Sequence, residues 1–225
     1  MWADELLRCS TPEEVVELAC RVPIIAHALA LLESEVPPHY IYHNHAHTLD
    51  VMHEVALFAI HDGVQGQDLL LLLIAAAWHD IGFIKEELKD HEEAAVQFFQ
   101  ETIQEDPKLA VFHASEQIMI EQMILDTKLY PSRNGPGLEQ IPHTKLSKYL
   151  LDADLSNLGR DDFFSSMEKI RQELSAPEKE FSIQTLGLIT RHIWHTRIAQ
   201  EMRTEKELQN NLQLVRKIKK MLQGS

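Results

Sequence analysis

The chain is poor in the residues that make turns. It has eight glycines and nine prolines in 225 residues, below the roughly 12% that average usage supplies. That shortage disfavours turn-rich β architecture, and no strand-like alternation runs beyond four residues. Cations are also scarce. Twenty-one Lys and Arg stand against 35 Asp and Glu, a formal net charge of −14, which repels the phosphate backbone that any nucleic-acid polymer would present. Cys9 and Cys20 are too few for a disulfide scaffold or a thiolate zinc site, and read as reduced, buried residues of a cytoplasmic protein. The most apolar run, Leu69 to Trp78, is ten residues long, about half of the ~20 that span a bilayer. The N-terminus lacks a basic region followed by an apolar run, so neither a membrane segment nor a signal peptide is expected.

What the chain does have is 44% hydrophobic residues, ample for a continuous core, in helical patterns. Thr11-Pro12-Glu13-Glu14 spells a capping box with proline at the first helical position. A second helix follows Pro23. Asn44 caps a third that runs to about His61, and Gln67 to Asp80 reads as a buried central helix because it is apolar on all sides. Helical patterns return over 91–104 and 115–128, the second with Ile118, Met119, Gln122 and Leu125 partly inward. Tyr130 to His143, with three prolines and two glycines, reads as a loop. Helices resume over 144–158, 161–174 and 182–223. The expected fold is all-α, one domain over 1–225 of roughly eight to ten helices.

Thirteen histidines are the other abundance. His43, His45, His47 and His53 crowd together, and His79-Asp80 closes the most apolar helix. Burying an ionised carboxylate costs several kcal/mol unless it is paired or binds metal. With Asn44 as cap, His47 shares the inward face of Val51 and Val55, and Asp152-Ala153-Asp154 places further acids inside an apolar stretch. Two imidazoles and two carboxylates form an N2O2 set that suits Mn, Fe, Mg, Co, Ni or Zn and leaves positions open for water and substrate oxygens.

The order His47, His79-Asp80, Asp154 resembles the H…HD…D signature of the HD-domain metal-dependent phosphohydrolases. The local words agree: Tyr42-His43-Asn44-His45-Ala46-His47-Thr48, Trp78-His79-Asp80-Ile81-Gly82, and Leu151-Asp152-Ala153-Asp154-Leu155 with Leu158-Gly159-Arg160. The likeness covers about residues 39–200 and is greatest to small, stand-alone bacterial members. It implies an all-helical fold, a divalent metal at His47, His79, Asp80 and Asp154, one ion or two, and hydrolysis of a phosphate ester of a small metabolite, with a nucleotide expected. Asp80 and His91 would serve a second ion or the phosphate, and Glu92 would accept a proton.

Around that set, His43 is expected to line the pocket, Asp152 to hold a ligating imidazole by its free N–H, and Arg160 and Lys85 to reach substrate phosphate. Arg160 could instead pair with Asp161 or Asp162. His192 and His195, on the last long helix, could face the site. A compact basic pocket for a small anion is therefore anticipated, with no membrane and no nucleic-acid partner, and a homodimer left open. Two other readings stay open: a di-iron oxygenase on the same scaffold, which needs extra histidines, and a catalytically silent HD regulator.

Overall fold

The start signals act as written. In the computed structural model, which describes residues 1–85, 90–131 and 138–223, the Glu14 amide donates to Thr11 Oγ1 at 3.3 Å and Glu14 Oε2 accepts from the amides of Ser10 and Thr11. Asn44 Oδ1 accepts from the Ala46 and His47 amides at 2.9 and 3.4 Å, which fixes where His47 sits in its helix. Eleven α-helices are described: α1 (Trp2–Leu6), α2 (Pro12–Ala19), α3 (Pro23–Glu35), α4 (His45–His61), α5 (Gly66–Trp78), α6 (His91–Glu105), α7 (Ala114–Asp126), α8 (Ser147–Asp154), α9 (Phe163–Glu173), α10 (Glu178–Arg191) and α11 (Arg197–Gln223). The fold is all-α.

Every residue of α5 from Leu69 to Trp78 is buried, and α1, α3, α4, α7 and α8 pack around it. Trp78 Nε1 donates to the Ile24 carbonyl at 3.1 Å, so even the indole is satisfied. Gly66–Lys85 is long and apolar enough to cross a bilayer by length and composition alone, but 83% of that window is buried inside the fold. It is a core helix surrounded by protein.

Three expectations need correcting. Within the stretch expected to be a loop, Tyr130–Pro131 (β1) pairs antiparallel with Leu138–Glu139 (β2); Gly135, Pro136 and Gly137, like residues 86–89 of the charged connection, lie outside the described residues. Ile118 faces solvent at 68% exposure, because the inward stripe of α7 is Ile120, Met123 and Ile124. The helix expected over 182–223 is broken at 192–196. Thr196 Oγ1 accepts the Ala199 amide at 3.2 Å and so caps α11, while Glu207 takes His192 Nδ1 at 2.8 Å and Trp194 Nε1 at 2.7 Å. Together with α1, which was not anticipated, the break takes the count above the expected range.

α11 is held against the core by polar clamps as well as by Leu214 and Ile218. Arg203 donates to buried Glu54 of α4 and to Ser156 Oγ. A Cβ on Gly159 would lie 2.6 Å from Arg203 Cβ, so the short 3-10 turn Ser156–Gly159 touches α11 backbone to backbone. Asn210 Nδ2 donates to the Leu158 and Arg160 carbonyls at 2.9 and 2.8 Å. Removing that amide leaves both carbonyls without their donor beside a buried surface, at about 1–3 kcal/mol for each unsatisfied group. Asn210→Ala should lower unfolding free energy by about 2–4 kcal/mol in urea denaturation, and a loss below about 0.5 kcal/mol would contradict this role.

Candidate metal centre

Four helices deliver the site. His47 stands in the first turn of α4, His79 caps the C-terminal end of α5 with Asp80 next to it, Asp154 is the last residue of α8, and His91 is the first of α6. The negative ends of α5 and α8 thus carry the acids, an arrangement that attracts a cation. His79 Nδ1 donates to the Ala76 carbonyl at 2.7 Å, which fixes the tautomer and leaves the Nε2 lone pair free to ligate.

His47 Nε2, His79 Nε2 and Asp80 Oδ2 converge. Asp80 Oδ2 lies 3.5 Å from His47 Nε2 and 3.2 Å from His79 Nε2, and Asp154 Oδ1 lies 3.5 and 3.6 Å from the same two nitrogens. All three converging atoms are buried, and none has a hydrogen-bond partner. Buried polar atoms are rarely left so. Donor atoms about 2.1 Å from one divalent cation are about 3.0–3.4 Å apart in octahedral or tetrahedral geometry, close to the separations seen. His47, His79 and Asp80 could therefore hold a metal ion.

The electrostatics agree. Burial alone would lower the His79 pKa, but Asp80 and Asp154 beside it outweigh burial and raise it well above the ordinary histidine value. Burial would raise both acids, but His79 beside Asp80, and His47 and His79 beside Asp154, pull both carboxyls below the usual carboxylate range. Two carboxylates here demand positive charge, which a proton or a cation can supply; binding a cation would release protons.

His91 approaches the other side of Asp80, with Nε2 3.8 Å from Asp80 Oδ1 and 3.4 Å from Glu92 Oε1. Gly82 makes this approach feasible: a Cβ there would stand 1.9 Å from the His91 carbonyl oxygen. Asp90, in the left-handed region at φ 61°, turns the chain into α6. Phe83 lies between two imidazoles, its ring 4.5 Å from His43 and 4.2 Å from His91.

His43 lines the same cavity, as expected. Its partner is Glu173, which was not anticipated: Glu173 Oε2 meets His43 Nδ1 at 2.6 Å, and Oε1 accepts the Tyr42 and His43 amides at 2.5 and 3.0 Å. Burial would lower the His43 pKa, but the Glu173 contact outweighs it. The spacing of Ser166, Ile170 and Glu173 on α9 puts this acid on the inward face, and that was the available signal.

The remaining predicted residues lie elsewhere. Asp152 holds no imidazole. Its oxygens accept the His195 and Thr196 amides at 2.8 Å and the Thr196 hydroxyl at 2.7 Å, so it fixes the corner before α11, and His195 contributes its backbone there instead of lining the cavity. His192 is likewise committed to Glu207. Arg160 pairs with Asp162 at 2.7 Å and Asp50 at 2.8 Å, and Lys85 is exposed, 4.7 Å from the Phe98 ring centre; neither lines the cavity. Nor is the described part of the lining basic. Lys128 is the one Lys or Arg among the described lining residues, and it is bound to Asp90 and Glu93 at 2.6 Å each.

In comparisons with known proteins, the chain matches no family model, no curated protein and no solved structure.

Glu92, only 5% exposed at the cavity edge, is pushed by burial from 4.5 to about 7. The native chain thus keeps this proton to higher pH than the unfolded chain, so stability falls as pH rises from about 4.5 to 7 and levels off above. In metal-stripped protein, Glu92→Gln should remove that decline. Its stability relative to wild type should rise by about 2–3 kcal/mol from pH 5 to pH 8 in urea titrations. A difference that does not change with pH would contradict the assignment.

Proposed function

We propose that the protein is a metal-dependent phosphohydrolase of the HD type, cleaving a phosphate ester of a small metabolite. The observation that carries this reading is the convergence of three buried, unpartnered ligand atoms, His47 Nε2, His79 Nε2 and Asp80 Oδ2, with Asp154 Oδ1 facing the same imidazoles. The order and local words of these residues add the phosphohydrolase chemistry. In this reading His47, His79, Asp80 and Asp154 hold a divalent cation, and Asp80 Oδ1 with His91 offers a place for a second. A cation so held supplies Lewis-acid chemistry, activating a water and polarising a phosphoryl oxygen.

The chain's own groups do the rest. Asp80 presents one oxygen to the imidazole pair and the other toward His91, which orients an attacking water between them. Glu92, with a pKa near the working pH, exchanges a proton with that water at little cost. His43, held at Nδ1 by Glu173 and raised in pKa by that contact, turns Nε2 to the cavity as a proton donor to a phosphate oxygen or the leaving group. Phe83, 2% exposed between His43 and His91, keeps both rings in place and water away from their faces.

His79→Ala and Asp80→Ala, assayed with p-nitrophenyl phosphate and by metal analysis, should each lose bound metal and at least about 10²-fold in kcat/KM, the scale on which removing a principal electrostatic group acts. Full metal content with full turnover in either variant would sink the reading. Two irons per chain with O2 uptake, and no phosphate released, would favour an oxygenase instead.

A further inference from the structure

The cavity beside the metal centre has a volume of about 600 Å³, within the usual range for a small-molecule site. Asp80, Asp154 and His91 form one part of its lining. Much of the remainder is apolar: Phe163, Met167 and Ile170 from α9 and Leu174 just after it, with Phe181 and Leu188 from α10. These positions follow helical spacing, which would ordinarily bury such a stripe against another element. Here the stripes of two helices border a shared open volume.

We propose that the substrate is a phosphate monoester of an apolar alcohol, whose hydrocarbon body lies against α9 and α10 while its phosphate meets the metal centre. The proposal rests on the hydrolase reading above and narrows its substrate. Two polar groups suited to a base or sugar are already engaged: Asn157 Nδ2 donates to the Tyr42 hydroxyl at 3.1 Å, and the Thr185 hydroxyl donates to the Phe181 carbonyl at 2.9 Å. Among the described residues, the cations suited to a second or third phosphate are engaged too. Lys128 is held by two carboxylates, and Arg160 points away into Asp50 and Asp162. Among the described residues, no guanidinium lines the cavity to fork a polyphosphate. One anionic group and a large apolar body fit this distribution better than a nucleotide. The reaction is a hydrolysis: water oxygen bonds to phosphorus, the bond from phosphorus to the alcohol oxygen breaks, and one water proton leaves with the alcohol while the other stays on phosphate.

The test uses the full chain with Mn²⁺ and an ethyl, butyl, hexyl and octyl phosphate series beside adenosine monophosphate. Burying each methylene should raise kcat/KM by up to about fourfold, and octyl phosphate should exceed the nucleotide. A flat or falling series, or preference for the nucleotide, overturns the proposal. Leu188→Lys should lower the octyl-to-ethyl ratio at least tenfold; an unchanged ratio counts against the assigned wall. Calorimetric binding of ethyl- and octylphosphonate, which lack the scissile ester, separates the two levels. If no ester releases phosphate, the hydrolase reading fails, while tighter binding of the octyl compound still upholds the apolar site; equal binding of the two phosphonates overturns it.

Discussion

Charge buried at the end of an apolar helix is the constraint around which this molecule is organised. α5 is enclosed on all sides, and it ends in His79 and Asp80, which are 1% and 4% exposed. Leaving an unpaired carboxylate there would cost several kcal/mol. The fold meets this by bringing His47 from α4 and Asp154 from α8 to the same point, where two acids and two imidazoles still leave three ligand atoms unsatisfied. A divalent cation could complete the set, and its binding to the native state alone would stabilise the fold by mass action.

Much of the periphery keeps the helix ends that carry these ligands in register. Asp152, two residues before Asp154, ties α8 to the start of α11 through three hydrogen bonds. Glu54, Arg203 and Ser156 join α4, α11 and the turn after α8. Glu173 ties the residues before α4 to α9, and Gly82 lets α6 approach closely enough for His91 to reach Asp80. Side chains that look catalytic in isolation, such as Asp152 and Arg160, serve this scaffold, whereas His43 and Glu92 face the cavity with pKa values raised from their ordinary ones.

The convergence of His47 with His79 and Asp80 was legible because it rests on local rules. Asn44 as cap sets the phase of α4 and so the inward direction of His47, and the apolar run before His79-Asp80 announces that both are buried. The break at 192–196 was not legible, since it depends on Asp152 arriving from α8 and on Glu207, within α11 itself, reaching back to His192 and Trp194. Glu173 escaped notice because an acid on an inward stripe reads as a solvated helix end until its partners are known. The apolar cavity was hidden for a related reason: the spacing of Phe163, Met167 and Ile170 declares an inward face but not whether that face meets a neighbour or a void. Among the described residues, the cations that would make the pocket basic are otherwise engaged: Lys128 by Asp90 and Glu93, Arg160 by Asp50 and Asp162.

The central claim is that His47, His79, Asp80 and Asp154 share one cation, and anomalous diffraction from crystals grown with Mn²⁺ tests it most directly. The account predicts a peak within about 2.0–2.4 Å of His47 Nε2, His79 Nε2, Asp80 Oδ2 and Asp154 Oδ1. A site without such a peak at millimolar Mn²⁺, or with the ion bound only to residues outside this set, would contradict it.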